Sequence, residues 1–495
     1  MLHPTPILTI ETLFPALSKK NADVVALIRI EHPALAELKS SRTKLNIVFA
    51  IDVSGSMASV LRNSTPLAPP LNLFQHPPGF HNQPIPGMPS MPGMPQPMAP
   101  WPMPNTPSPF DPSMGHIHPQ APRGGFFHPQ LQQQPKLQYS TKLDRVKAAA
   151  IKAITQLQSD DRFGVVSFDS TERTVVESTL ATPQAKMAAI ARVNALCPGS
   201  ATALHAGWKG AAKMVCQHLD TKMVNRVLLL TDGEATDGIK DVQTLSKHAS
   251  AMAEQGVTTS TFGVGDQYNE ILLQGMAESG DGRYYYLEGD SNFEQLFAEE
   301  FQGMSRLYGS DVRLRVHAEN ATLEFHNDLP VTPQGWKLPN AVHEKVEYYL
   351  VTLKPSKVPN ESLDFAVAYD YKHEGVVQTV SIEHSIGVVT QKSFALMKPN
   401  DNVGKKQLEL ETARAKEKAM QALDRGDYLM SRNILSASSS AISASAYSCA
   451  PEFLVQSARL GTLMSVADSG DHQKLRKMST HDTYATRNNF VEPKK

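Results

Sequence analysis

Apolar residues along this chain fall into two rhythms, and the change between them marks its domains. Residues 45–51 (LNIVFAI) form an apolar run of the length of one strand, consistent with a strand buried on both faces of a parallel sheet. From Leu143 the pattern switches to helical spacing (LDRVKAAAIKAITQL) and then alternates. Strands are expected at 162–168, 226–230, 257–264 and 283–287. Helices are expected at 183–196, 204–219, 239–255, 270–279 and 293–308. Strands separated by helices predict a doubly wound, Rossmann-like α/β domain over residues 44–309.

Either side of that domain the rhythm is different. Residues 23–31 (DVVALIRIE) are rich in Val and Ile, as strands are, and 312–316, 321–325, 346–353, 363–370 and 376–386 read as strands without intervening helices. These predict an antiparallel β-sandwich over 310–398, joined by the strands of 1–43, with the α/β domain inserted in it. From 405 to 470 Ala, Leu, Glu and Lys recur at helical spacing with a break at Gly426, predicting two or more antiparallel helices. Residues 471–495 read as a polar, frayed tail.

Composition adds one region that periodicity cannot place. Residues 64–136 hold 21 of the chain's 35 prolines and only three charges: Asp111, Arg123 and Lys136. Proline fixes φ and removes a backbone donor, so this Pro/Met/Gln-rich insert is expected to be disordered and partly polyproline-like. Its Met and His residues are irregularly spaced, which argues against a copper site.

Charge and cysteine usage narrow the partners. The net charge is -1, from 48 Lys and Arg against 49 Asp and Glu, so nothing favours a nucleic acid. Three cysteines, Cys197, Cys216 and Cys449, make neither a disulfide framework nor a zinc motif, and are expected to be reduced, buried thiols. No stretch of about 18 apolar residues would span a membrane, and no basic start followed by an apolar run marks a signal peptide. A cytoplasmic location is the expectation.

The candidate chemistry lies in three separated segments. Asp52-Val53-Ser54-Gly55-Ser56 follows the first apolar strand. Thr202 opens a helix, and Asp232 follows the strand RVLLL. Taken singly, each is also what an ordinary strand end or helix cap looks like. Together they fit the rule that ligands of an open parallel sheet bind beyond the carboxyl ends of its strands. Two carboxylates and three hydroxyls are hard oxygen donors, which suit Mg²⁺ (Mn²⁺ or Ca²⁺ as alternatives) and not Zn²⁺ or Cu²⁺. Glu234 and Asp237 could make a second cation site but read more simply as solvated loop charges. His205 is the one candidate base nearby, and reads more simply as structural.

DVSGS, the later Thr202 and the Asp232 turn resemble the metal-ion-dependent adhesion site of von Willebrand A (VWA) domains, and RFGVVSF and TFGVG are similar to the same family. The resemblance covers about residues 45–308 apart from the insert. It implies Ser54, Ser56 and Thr202 as direct ligands, with Asp52 and Asp232 coordinating directly or through water. The multidomain arrangement resembles intracellular bacterial VWA proteins and the VWA–sandwich part of plant RING-type ubiquitin ligases. No RING cysteines are present, so no ligase activity follows. The resemblance implies a scaffold that binds a protein partner by letting its Asp or Glu complete the metal's coordination. The alternatives are an accessory subunit of an AAA+ ATPase or other enzyme complex, or a structural scaffold acting through the insert and helices. No GxxxxGK[ST], GxSxG or HExxH motif supports catalysis. The expectation is a binding protein and not an enzyme.

Overall fold

A computed structural model describes residues 5–34, 42–60, 140–265, 267–287, 293–373 and 375–489. The Pro/Met/Gln-rich insert predicted at 64–136 lies outside the described residues.

The chain opens with β1 (Ile7–Thr12) and β2 (Val24–Glu31), which pair antiparallel. The α/β domain follows. It comprises β3 (Lys44–Asp52), α1 (Lys142–Gln156), β4 (Arg162–Phe168), β5 (Glu172–Leu180), α2 (Pro183–Asn194), α3 (Leu204–Cys216), β6 (Met223–Thr231), α4 (Val242–Glu254), β7 (Val257–Val264), α5 (Glu270–Ser279), β8 (Asp281–Leu287) and α6 (Phe293–Ser305). Its strands form one sheet in the order β5-β4-β3-β6-β7-β8. All neighbours are parallel except β4 and β5. β5 was not among the predicted strands. It is a hairpin return from β4, short of apolar residues because it sits at the sheet's edge.

Alternation along β3 explains why its run is apolar on both faces, apart from the hydrogen-bonded Asn46. Leu45, Ile47, Phe49 and Ile51 pack with Val146, Ala150 and Ile154 of α1 and Phe297 and Phe301 of α6. Val48 and Ala50 point the other way, into a core with Trp208 and Val215 of α3, Leu245 of α4 and Leu273 of α5. Successive side chains of a strand face opposite sides, and both sides here are covered by helices.

After the α/β domain come β9 (Leu307–Ala318), β10 (Ala321–Phe325), β11 (Val331–Thr332), β12 (Gly335–Lys337), β13 (Ala341–Val342), β14 (Val346–Pro355), β15 (Ser362–His373) and β16 (Val376–Gly387). One sheet runs β1-β2-β14-β10. The second runs β11-β12-β9-β15-β16, with β13 also on β9. Ile28, Ile30, Tyr349 and Val351 of the first sheet share a core with Leu314, Val367 and Tyr369 of the second, making a sandwich. The N-terminal strands belong to it, because β2 pairs with β14 along its length. The α/β domain therefore sits between β2 and β9 of a sandwich that surrounds it in sequence.

The C-terminal part is helical: α7 (Gln391–Phe394), α8 (Asp401–Asp424), α9 (Tyr428–Ala444), α10 (Pro451–Asp468) and α11 (His472–Arg487). The last corrects the frayed tail expected from residue 471. α11 is capped by Asp471, whose side chain accepts from the Lys474 amide. It docks on the α/β domain, with Tyr484 buried in the core beside Tyr284 and the Lys477 ammonium 3.3 Å from Glu270. Its sequence, HQKLRKMSTHDTYATR, offers few apolar residues, so its buried face is carried by paired charges and hydroxyls. The cysteines also depart from expectation. All three are free, but exposed and not buried.

Candidate metal centre

Strand register builds the site. β3 pairs with β4 on one side and β6 on the other, with Ile51 opposite both Ser167 and Leu230. That alignment brings Asp52, the last residue of β3, beside Thr231, the last residue of β6. The chain then leaves β3 through Val53 and Ser54, whose backbone is held by neighbouring strand ends and loops. The Val53 amide donates to Phe168 O (2.9 Å), and the Gly55 amide to Ser200 O (3.0 Å). The second contact ties the Asp52–Ser56 loop to the loop that carries Thr202.

The predicted residues converge. Asp52 Oδ1 accepts from the Ser54 amide at 2.7 Å, and Oδ2 from the Thr231 hydroxyl at 2.6 Å. The Ser54 and Ser56 hydroxyls lie 3.0 Å apart, and Ser56 donates to Asp232 Oδ1 at 2.7 Å. Thr202 approaches from the other side of Gly233. A Cβ built on Gly233 would lie 3.2 Å from Thr202 Oγ1 and 3.6 Å from Ser56 Oγ, so a side chain there would crowd both hydroxyls. The Thr202 backbone is fixed by Thr236, whose amide donates to Thr202 O (3.0 Å) and whose hydroxyl accepts from Thr202 N (2.9 Å).

Asp52, Ser54, Thr202 and Asp232 are all buried and Ser56 half-buried. Burial pushes the Asp52 carboxyl up to about 6, because a charged group loses hydration there. The hydrogen bonds from Thr231 and Ser54 pull it back, and the nearby Asp232 carboxylate raises it further. The groups that favour the charged Asp52 are thus neutral donors, and a cation at this spot would relieve the penalty. The donor chemistry fits a hard divalent ion. Two carboxylates and three hydroxyls meet, and no imidazole or thiolate is among them.

Three residues of the site escaped the sequence reading. Thr231 fixes Asp52, a role visible only once the register is known. Asp169, buried just past β4, lies against Gly199 and pairs with Arg173 at 3.2 Å. Lys142 is the third: its ammonium donates to Asp232 Oδ2 at 2.7 Å. The weaker candidates border the centre without a side-chain hydrogen bond to it among the described residues, the Asp237 amide donating to Thr202 O at 3.3 Å. Glu234 and Asp237 are exposed, and Asp237 Oδ1 accepts from the Gly238 amide. The His205 ring packs against His248 and Trp208, with centroids 5.3 and 6.2 Å away.

Comparisons with known proteins agree with the α/β fold. Residues 139–299 match the family described as von Willebrand factor type A domain. The uncharacterized protein sll0103 of Synechocystis is 32% identical over 166 residues, which is 33% of this chain and 38% of that protein. The uncharacterized protein YfbK of Escherichia coli is 27% identical over 189 residues, 38% of this chain and 32% of its own length. The chain thus matches only about a third of each of these curated relatives. Two solved structures share the fold over nearly their whole length. A von Willebrand factor type A protein from Catenulispora acidiphila superposes with a TM-score of 0.61, 15% identity and coverage of 97% of this chain and 96% of its own. The ArnB paralog VWA2 of Sulfolobus acidocaldarius gives 0.52, 13%, 99% and 100%. With its sheet order, its oxygen-lined crevice and its family match, the α/β unit of this chain is a von Willebrand factor type A domain.

Proposed function

We propose that this protein is a cytoplasmic multidomain scaffold that captures a protein partner through a divalent ion, Mg²⁺ in the first place, and is not itself an enzyme. VWA domains are generally protein-interaction modules. The observation that carries the reading is the convergence of Asp52, Ser54, Ser56, Thr202 and Asp232 beyond the strand ends. Ser54, Ser56 and Thr202 would hold the ion through their hydroxyl oxygens, with Asp52 and Asp232 coordinating directly or through water. The bound ion supplies a positive charge to which a partner's Asp or Glu can add its carboxylate, while the surrounding loops set specificity.

One further feature favours binding over catalysis: His205, the candidate base, packs against other rings. Among the described residues, no helix is long and apolar enough to cross a membrane.

Capture from native lysate with the wild-type chain and the Asp52→Ala/Ser54→Ala variant, with and without EDTA, tests the reading. A specific partner should be lost both in the variant and in EDTA. A partner retained equally in all four samples would move binding to the insert, sandwich or helices.

A further inference from the structure

Lys142 occupies a place that ordinary preferences argue against. It is the first residue of α1, whose N-cap Thr141 forms a capping box with Asp144. Helix N-termini carry partial positive charge and favour anions, so a cation there is unfavourable. Lysine is also rarely buried unless paired. Yet the Lys142 side chain is 7% exposed, and its ammonium rests 2.7 Å from Asp232 Oδ2, on a carboxylate with no exposure at all. Its backbone is tied to the metal loop, since the Lys142 amide donates to Ser59 O at 2.9 Å. A cation set against its helix dipole and buried on one particular carboxylate points to function at that group.

Both carboxylate oxygens of Asp232 already accept a hydrogen bond in this arrangement. Oδ1 accepts from Ser56 and Oδ2 from Lys142. The two donors differ in what they can do when a metal arrives. A serine hydroxyl is both donor and acceptor, so Ser56 can turn its proton away and offer a lone pair. An ammonium has three donors and no acceptor. It can only repel a divalent cation or leave.

We propose that Lys142 is an internal competitor for the divalent ion, a built-in cation that compensates Asp232 when no metal is bound and must leave it for the metal to bind. This rests on reading the five oxygen residues as a metal centre. The lysine lowers the divalent affinity of the site and keeps the metal-free domain folded by neutralising a carboxylate that would otherwise be buried alone. Among the described residues no cation pairs with Asp52, so within them the site holds one compensated carboxylate and one uncompensated.

The test is Mn²⁺ titration of the full chain, read by electron paramagnetic resonance of the free ion, for wild type, Lys142→Met, Lys142→Gln and Asp232→Asn. Circular dichroism confirms folding, and the glutamine variant keeps a neutral donor where the methionine variant does not. Folded Lys142 variants should bind Mn²⁺ at least tenfold more tightly than wild type, and Asp232→Asn should lose binding. Equal or weaker binding in the lysine variants, with saturable binding in wild type, would overturn the competitor and leave the metal centre standing. No saturable binding in any protein would overturn both. A second measurement needs no variant. Saturating Mg²⁺ should raise the labelling of Lys142 by an amine-reactive reagent several-fold, read by peptide mass spectrometry. Unchanged labelling at saturation would show that the ammonium stays on Asp232.

Discussion

Asp52 of the α/β domain and Glu347 of the sandwich are both fully buried carboxylates, and burial pushes both toward the neutral acid. Their surroundings then take them in opposite directions. Glu347, at the start of β14, meets the Lys345 ammonium at 2.7 Å, the Tyr349 hydroxyl at 3.1 Å and His32 Nε2 at 3.4 Å. Against the pull of burial, Lys345 and His32 hold its carboxyl down at about 2. Among the described residues Asp52 receives neutral donors, the Ser54 amide and the hydroxyls of Thr231 and Ser54, and stays at about 6. The sandwich carboxylate has its countercharge within the chain and is structural. Among the described residues the α/β carboxylate has none, and an external cation would supply the charge that the proposed function calls for. Asp232, with Lys142 on one oxygen, lies between the two cases.

The contrast breaks most visibly at Glu347. Glu347→Gln removes the buried carboxylate that Lys345 and His32 face, and breaking a buried pair from one side costs about 3–5 kcal/mol. Urea unfolding should show that loss. A change below about 1 kcal/mol would mean that the pair does not anchor the junction of β2 and β14.

The same chemical step at Asp52 should act with the opposite sign. Asp52→Asn removes a charge that burial disfavours, and its amide can still accept from Ser54 and donate to Thr231 Oγ1. A shift from 3.8 to about 6 corresponds at neutral pH to about 2–3 kcal/mol of destabilisation that the variant escapes. Unfolding in EDTA should find the variant more stable than wild type, while added Mg²⁺ should stabilise only the wild type. A variant less stable than wild type in EDTA would erase the distinction between the two carboxylates.

The smallest effect is in the pH profile. The folded-state value of Glu347 lies below its usual 4.5. Its contribution is therefore complete above pH 4.5 and is lost as the pH falls toward 2. Asp52 lies above its usual 3.8, so its contribution is complete below that value and is lost as the pH rises through about 6. Each proton gives a slope of at most about 1.4 kcal/mol per pH unit. Melting temperatures in EDTA should rise from pH 2 to 4.5 because of Glu347. Between pH 4 and 6, wild type should fall relative to Asp52→Asn. Parallel profiles for these two proteins would contradict the value near 6.

Much of this molecule was legible before any coordinates. The apolar run at 45–51 and the helical spacing from Leu143 gave the α/β domain, because a strand covered by helices on both faces leaves an unmistakable pattern. The five oxygen residues were legible because each follows a strand end or opens a helix, positions that a parallel sheet gathers at one crevice. β5 and α11 were not. An edge strand buries little, and a helix whose buried face mixes Leu475 and Ala485 with Lys477, Ser479, Thr483 and Tyr484 shows no continuous apolar stripe. The exposed thiols of Cys197, Cys216 and Cys449 were likewise unreadable, because a small side chain at a helix end or in a loop carries no periodic signal.

What the sequence determined by itself was therefore the order of elements and which oxygen-bearing side chains lie near the strand ends, since both depend on local spacing. Only the tertiary structure decided which charges are compensated. Lys142 and Asp232 are 90 positions apart, and Glu347 finds His32 315 positions away. Coulomb attraction and desolvation depend on distance in space and on burial, and neither is written in the spacing of residues along the chain.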